Sequence, residues 1–375
     1  MFEVGGIAVN RRAVGETLSG VQRYVLELTS RLRGLEVLEP STPLHGVRGH
    51  LWEQFCLPQR CRRFKVLWSP ANSGPLTIDR QVVTVHDLAV VDHPEWFNPQ
   101  FALWYRWMMP RLVRRVRRII AVSEFTKQRI LEISGVDESR VVVIPNGVDA
   151  RFRPRAQQEV NQIKRRLGIQ GQEYVLNLAT IEPRKNLRRQ LEAWSQCVEF
   201  LPDNICLVIA GVHGKTQVFQ KADLGPMPAR VIMAGFIPDE LLPALYSGAL
   251  VFLYASIYEG FGLPALEAMA CGTPPVVGQN TALSEVIGNC GVLVDAQQAE
   301  SIAWGVRHLI EDGDARSALA RAGLERSRGF SWQRSAELTQ KILGQALTVD
   351  DSGTGELVTY TDQSFTPVGT INTEG

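Results

Sequence analysis

The stretch "ALVFLYASIYEGFGLPALEAMACG" (residues 249–272) changes character halfway along. Its first third is apolar and rich in strand formers, as suits a strand buried on both faces. Glycines 260 and 262 then mark a turn, Pro264 stands where a helix should begin, and Gly272 marks its stop. The turn is therefore a helix N-terminus, where unpaired backbone N–H groups and the positive dipole end attract anions, phosphate above all. Glycine there lets a ligand approach the main chain closely. Glu267 falls about one turn into the helix and Glu259 before the break, so the two carboxylates can reach different parts of one ligand. Taken singly, each has a plainer reading: Glu267 complements the helix dipole and Glu259 is a solvated loop residue.

Apolar runs of the same kind recur along the 375 residues, at "VLWSPA" (66), "VVTV" (82), "RIIAVS" (118) and "VVVIP" (141), then "YVLNLA" (174), "CLVIAG" (206), "RVIMAG" (230), "PPVVG" (274) and "GVLVD" (291). Segments of helical period lie between them, such as "NLRRQLEAWSQCV" (186–198) and "AESIAWGVRHLIED" (299–312). Alternating strands and helices predict α/β architecture with parallel sheets, and the length predicts two domains. The irregular "IPNGVDARFRPR" (144–155) is the joint, dividing an N-terminal domain, 1–147, from a second, 148–330. Residues 331–347 form a final helix, and the polar, turn-rich tail 348–375 is expected to be disordered.

Composition narrows the class of function. With 45% hydrophobic and 21% charged residues the chain reads as soluble and globular. Its six cysteines show neither zinc spacing nor a disulfide framework, and the start has no basic head followed by a long apolar run, so a cytoplasmic protein is expected. No window approaches about 18 unbroken apolar residues. The net charge of +1 hides an asymmetry: residues 1–147 hold 20 Lys+Arg against 14 Asp+Glu, while the remainder holds 20 against 25. The tail from Ile342 onward has five acidic residues and no Lys or Arg. The D-x-D triplet, "DGD" at 312–314, reads as a turn between helices, and no metal is expected.

A second feature gives the glutamate pair a purpose. "LATIEPRKNL" (178–187) sets Arg184 and Lys185 just past another strand end. Two cations there, beside a helix N-terminus, can neutralise a diphosphate, although adjacent Arg-Lys on a surface helix is commonly just solvated. The order of "SGVQRY", "VVTVHDL", "AVSEFTKQRI", "IPNGVD", "EPRKN", "AGFIPDELLPALY" and "EGFGLPALE", with its E-x7-E spacing, resembles the retaining nucleotide-sugar glycosyltransferases of family 4. The resemblance runs from about residue 7 to residue 345, and the polysaccharide and lipid-linked-oligosaccharide mannosyltransferases are the members it leans toward.

That resemblance implies a GT-B fold, two Rossmann-like doubly wound domains facing a cleft, with the last helix returning to the first domain. It implies that Glu267 holds the donor ribose, that Arg184 and Lys185 grip the diphosphate with the backbone of Phe261, Gly262 and Leu263, and that Glu259 lies beside the transferred sugar. The main chain at Ile237 would meet the nucleobase. Gly20, in the first strand-to-helix loop, would admit the diphosphate or acceptor, and His86 would contact the donor sugar, with Asp87 orienting it. A hinge at 145–153 would bring His86 and Glu259 together. The reaction implied is metal-independent, cofactor-free transfer of a hexosyl group, GDP-mannose being the favoured donor, to a glycan or lipid-linked acceptor.

Trp52, Glu53 and Asn72 could meet an acceptor sugar, with core packing an equal reading for Trp52. Six arginines between 106 and 118, mixed with Phe101, Trp104 and Trp107, suit an anionic membrane at the inner face, or else form the solvated face of a packed helix broken at Pro110. No nucleic-acid motif accompanies that charge. Rival readings are a nucleotide-sugar epimerase, which would epimerise donor without acceptor, and a binding protein with a dead site, in which Glu259→Ala would leave donor hydrolysis unchanged. A dinucleotide-dependent oxidoreductase lacks its G-x-G-x-x-G.

Overall fold

The computed structural model describes residues 6–14, 20–44, 46–212, 214 and 218–348. The tail expected from 348 onward lies outside them, except that Thr348 closes the last helix. The chain divides into two compact units, the first running to Gly147 and resuming at Phe330, the second covering Val148–Gly329. The last helix thus begins within the first unit.

In the second unit six parallel strands, β7 (Glu173–Leu178), β8 (Ile205–Ala210), β9 (Val231–Gly235), β10 (Val251–Tyr254), β11 (Pro275–Gly278) and β12 (Val292–Val294), run in the order β12-β11-β10-β7-β8-β9. This is the doubly wound order of dinucleotide-binding sheets, with β7 and β10 adjacent where the winding reverses. Side chains alternate between two cores. Tyr174, Leu176, Val208, Phe252 and Tyr254 pack on one face, and Val175, Leu207, Ile209, Val251 and Leu253 on the other. Both faces are covered, which is why these strands read as unbroken apolar runs.

The first unit's strands are β1 (Ile7–Asn10), β2 (Leu35–Leu38), β3 (Val66–Ser69), β4 (Gln81–Val85), β5 (Arg118–Ala121) and β6 (Val141–Val143). Their order, β2-β1-β3-β4-β5-β6, is all parallel and reverses between β1 and β3. β1 and β2 were not among the expected strands: each is four residues long, and β2 is an edge strand whose central Glu36 and Val37 are exposed, so neither makes a long apolar run. The Trp332–Thr348 helix lies along the Gly20–Arg31 helix and over β3, β4 and β5. Trp332, Ile342, Leu343 and Ala346 are buried there, and the Trp332 ring meets Tyr24 edge-on at 6.0 Å.

Two expectations need correction. The Pro99–Arg115 helix runs through Pro110 without a break. Only one hydrogen bond to the preceding turn is lost at a proline, and the buried Met108, Met109, Leu112 and Val113 hold the helix on either side. Its own arginines, Arg106, Arg111, Arg114 and Arg115, are exposed, but Arg117 and Arg118 lie beyond it, Arg117 donating to the Ala346 carbonyl at 2.9 Å and Arg118 lying within β5. Among the described residues no helix is long and apolar enough to cross a membrane.

The return of the chain is tight at Gly147, where a Cβ would stand 2.1 Å from the Trp332 nitrogen and 2.6 Å from the Ser331 carbonyl carbon. Since the clash is with backbone, Gly147→Ala should destabilise the first unit by about 1–3 kcal/mol. Urea denaturation measures this, and an unchanged midpoint would contradict the packing described.

Candidate functional site

Ligands of open α/β sheets bind beyond the carboxyl ends of the strands where the winding reverses, which in the second unit means the segments after β7 and β10. After β7 the chain makes a tight turn, Pro183–Lys185, and enters the Leu187–Cys197 helix through Asn186, whose φ of 58° is left-handed. Asn186 Nδ2 donates to the carbonyls of Ala296 at 2.6 Å and Ala255 at 3.1 Å, and the Ile257 N–H donates to the Arg184 carbonyl at 2.9 Å. The Arg-Lys turn is thereby stitched to the end of β10.

On that frame Lys185 Nζ donates to Glu259 Oε1 at 2.5 Å and to the Tyr254 hydroxyl at 2.6 Å. Arg184 Nη1 reaches Glu259 Oε2 at 3.3 Å, while its Nε donates to Glu182. Lys185, Glu182 and Glu259 are all buried. Burial is the largest influence on Glu259 and alone would raise its carboxyl, but Lys185 and then Arg184 override it and hold it below the usual carboxylate range. Burial, and then Arg184, draws the Lys185 ammonium below its ordinary value against the pull of Glu259. Glu259 is thus a carboxylate at neutral pH, suited to electrostatic or positioning work rather than to giving a proton.

Beyond the turn the helix is Leu263–Ala270, one residue ahead of the expected start, with Gly262 as its cap. Gly262 has φ 96°, and a Cβ there would lie 2.3 Å from Leu283 Cδ2, so both conformation and space demand glycine. Phe261 and Leu263 are buried beside it. Glu267, also buried, accepts from the Tyr246 hydroxyl at 3.1 Å. Ile237 follows β9 and packs into the core that holds Tyr246 and Tyr254. The D-x-D triplet lies elsewhere in this unit: Asp312 caps the Gly313–Ser327 helix, accepting from the Ala315 N–H at 2.8 Å.

In the first unit His86 directly follows β4 and is buried. Its Nε2 lies 2.8 Å from the Pro70 carbonyl, so that nitrogen carries the proton and Nδ1 is the acceptor, and its ring stands edge-on to Tyr24 at 4.6 Å. Burial lowers its pKa, with the Pro70 contact and Asp87 opposing, which keeps the imidazole neutral. Asp87 Oδ1 accepts from the Ala89 N–H at 3.2 Å, the start of the following turn of helix.

Comparison with known proteins bears on the family and the fold. The family model for "Glycosyltransferase Family 4" matches residues 39–152, and that for "Glycosyl transferases group 1" matches residues 159–326. The chain belongs to glycosyltransferase family 4. Its relatives include the O-antigen chain mannosyltransferase B of Escherichia coli, 29% identical over 71% of this chain and 70% of that protein. The serotype-specific mannosyltransferase WbdA of the same organism is 28% identical over 81% of this chain, which spans only 38% of WbdA. The crystal structure of HepE from Anabaena, in complex with UDP and glucose, covers 91% of this chain and 99% of its own at a TM-score of 0.72 and 18% identity, which is a likeness of fold. The fold is GT-B, with a Rossmann-like sheet in each unit.

Elsewhere in the first unit of this family 4 transferase, several expectations change. Gly20 is the exposed first residue of the Gly20–Arg31 helix rather than part of the loop before it. Trp52 is core, packed with Ala8, Leu38 and Leu57. Asn72 is committed to the backbone, its Oδ1 accepting from the His86 N–H at 2.5 Å. Glu53 faces no sugar: it is buried, accepting from Asn10 Nδ2 at 2.6 Å and the Ser73 hydroxyl at 2.9 Å, with Arg12 Nε 3.3 Å away. Tyr246, Tyr254, Glu182 and Asn186 escaped the sequence reading. The tyrosines follow the apolar alternation of core aromatics, and only the fold shows their hydroxyls on Lys185 and the two glutamates.

Burial would raise the Glu53 carboxyl, yet Arg12, with His50 and Asn10, outweighs it and holds the group at about 2. A depressed carboxylate stabilises the fold above its unfolded pKa and loses that contribution as pH falls through the folded one. About 3 kcal/mol should therefore disappear between roughly pH 4.5 and 2. Glu53→Gln should remove this part of the acid dependence and cost about 3–5 kcal/mol at pH 7, because Arg12 is left buried without its counter-ion. Urea titrations at pH 7, 4 and 3 test both statements.

Proposed function

We propose that this chain transfers a hexosyl group from a nucleoside diphosphate sugar to a hydroxyl of a glycan or lipid-linked acceptor, with retention of configuration. The observation that carries the reading is the Arg184–Lys185 turn held against Glu259 at the reversal point of the second sheet, beside the helix that begins after Gly262. Its four charged groups, Arg184, Lys185, Glu182 and Glu259, sum to zero. An incoming diphosphate takes the place of Glu259 as partner of the two cations. Glu259 then accepts hydrogen bonds from the sugar hydroxyls, which take over from the cations in stabilising its charge.

In the reaction the bond from the anomeric carbon to the leaving phosphate oxygen breaks, and a bond to the acceptor oxygen forms on the same face. The acceptor proton passes to an oxygen of the departing diphosphate. Negative charge grows on that group as the bond lengthens, so Arg184, Lys185 and the helix N-terminus stabilise the transition state more than the bound donor. Those groups supply the positive charge that a divalent cation would otherwise bring, and the reading is of a metal-independent enzyme. Glu267, aligned by Tyr246, accepts from the ribose hydroxyls, and the main chain near Ile237 meets the base. The family resemblance assigns Gly20 to the diphosphate or acceptor and neutral His86, with Nδ1 as acceptor, to the transferred sugar. GDP-mannose is the favoured donor because mannosyltransferases recur among the named relatives, although the HepE crystals hold UDP. Exposed Leu103 and Trp107, with Arg106 and Arg111 alongside, support an anionic membrane surface as the place of a lipid-linked acceptor.

A thermal-shift panel of nucleoside diphosphate sugars identifies the donor, since ligand at about 100 times its dissociation constant adds roughly 2.7 kcal/mol. The expected result is stabilisation by GDP-mannose that is lost in Glu267→Ala. Transfer by Lys185→Ala, at saturating donor, should fall about a hundredfold or more. Stabilisation by no nucleotide sugar, or wild-type turnover in Lys185→Ala, would remove the basis of the proposal.

A further inference from the structure

In a parallel sheet every strand begins at the same edge, and in the first unit that edge is cationic. Lys65 precedes β3, Arg80 precedes β4, Arg117 precedes β5, whose first residue is Arg118, and Arg140 precedes β6. Backbone bonds confirm that they are neighbours: the Arg117 N–H reaches the carbonyls on both sides of Arg80, those of Asp79 and Gln81, and the Leu67 N–H reaches the Arg80 carbonyl. Arg140 reaches across to the carbonyls of Val113, Arg114 and Val116. Arg118 and Arg140 are half-buried, and each lies below its ordinary pKa through burial, Arg140 also through repulsion from Arg118. Arg118 and Arg140 donate to backbone carbonyls, which leave the positive charge in place. Asp137, which caps Ser139 and faces Arg140, and Asp79, which accepts from the Arg80 N–H, offset part of this charge, and the five cations leave the edge net positive. Such an edge fits an anion, and it lies opposite the carboxyl ends where the family's chemistry is expected.

The chain itself supplies one. Arg117 Nη1 donates to the Ala346 carbonyl at 2.9 Å, fixing the last turn of the Trp332–Thr348 helix at this edge. Residues 349–375 continue from there with Asp350, Asp351, Glu356, Asp362 and Glu374 and no Lys or Arg. From β3 to β6 is three strand spacings, about 15 Å, which five extended residues span. We propose that residues 349–375 bind in cis along the cationic edge formed by Lys65, Arg80, Arg117, Arg118 and Arg140, with Asp350 and Asp351 seated first. The segment would shield this edge from other anions, membrane lipid included. The proposal is independent of the donor reading.

The test keeps the full chain and neutralises the tail in place (D350N, D351N, E356Q, D362N, E374Q). A fluorescein-labelled peptide of residues 349–375 should bind this variant in low salt, release steeply as salt rises, and bind the wild-type chain at least about tenfold more weakly, because the tethered segment already occupies the edge. Adding K65Q and R80Q should weaken the peptide about tenfold. As a readout that does not depend on those substitutions, acetylation of Lys65 by a water-soluble ester should be slower in wild type than in the neutralised-tail chain. Failure of the peptide to bind, equal binding to both chains, or equal Lys65 labelling overturns the proposal. If phosphatidylglycerol vesicles bind wild type and neutralised-tail chains alike and the peptide does not displace them, lipid is the occupant and the proposal also falls.

Discussion

The buried ion pair between Lys185 and Glu259, 2.5 Å from nitrogen to oxygen, is the constraint around which the second unit's site is arranged. Two charges taken out of water are costly unless geometry and further hydrogen bonds compensate. Here Tyr254 and Arg184 complete the set, and the pair ties the segment after β7 to the segment after β10 at the one place where the winding of the sheet reverses. Asn186 and the Ile257–Arg184 backbone bond then hold the turn that bears both cations. The result is a pair of cations held at the strand ends together with their counter-ions, Glu259 and Glu182.

The two glutamates of the E-x7-E spacing do different work because they lie on opposite sides of Gly262. Glu259 belongs to an irregular loop and can turn toward the Arg-Lys pair, whereas Glu267 is fixed to a helix whose surroundings are almost wholly apolar. Its oxygen is oriented by Tyr246, whose backbone carbonyl is itself held by the Thr273 hydroxyl at 2.6 Å. A carboxylate offers about four acceptor positions, of which the Tyr246 hydroxyl takes one.

The first unit uses its parallel sheet in two directions. The carboxyl edge carries His86 and the Asn10–Arg12–Glu53–Ser73 network, in which Glu53 accepts from Asn10 and Ser73 and pairs with Arg12. The opposite edge begins strand after strand with Lys or Arg. Parallel pairing alone produces this separation, because it collects all strand starts on one side and all strand ends on the other.

Much of this was legible in the chain. Strands covered on both faces announce themselves as apolar runs, and the Gly-Pro punctuation around residue 262 determined a helix N-terminus at a strand end, since only glycine accepts that backbone and proline suits a first turn. The neighbouring carboxylates and cations followed from residue type and order. What the tertiary structure alone decided was partnership. That Glu53 and Asn72 serve the protein's interior, that Tyr246 and Tyr254 put hydroxyls on functional groups, and that Lys185 meets Glu259 across 74 residues all depend on strand order. A sequence records which groups a chain owns, while burial and pairing energies depend on distances that exist only once the sheet has closed around them.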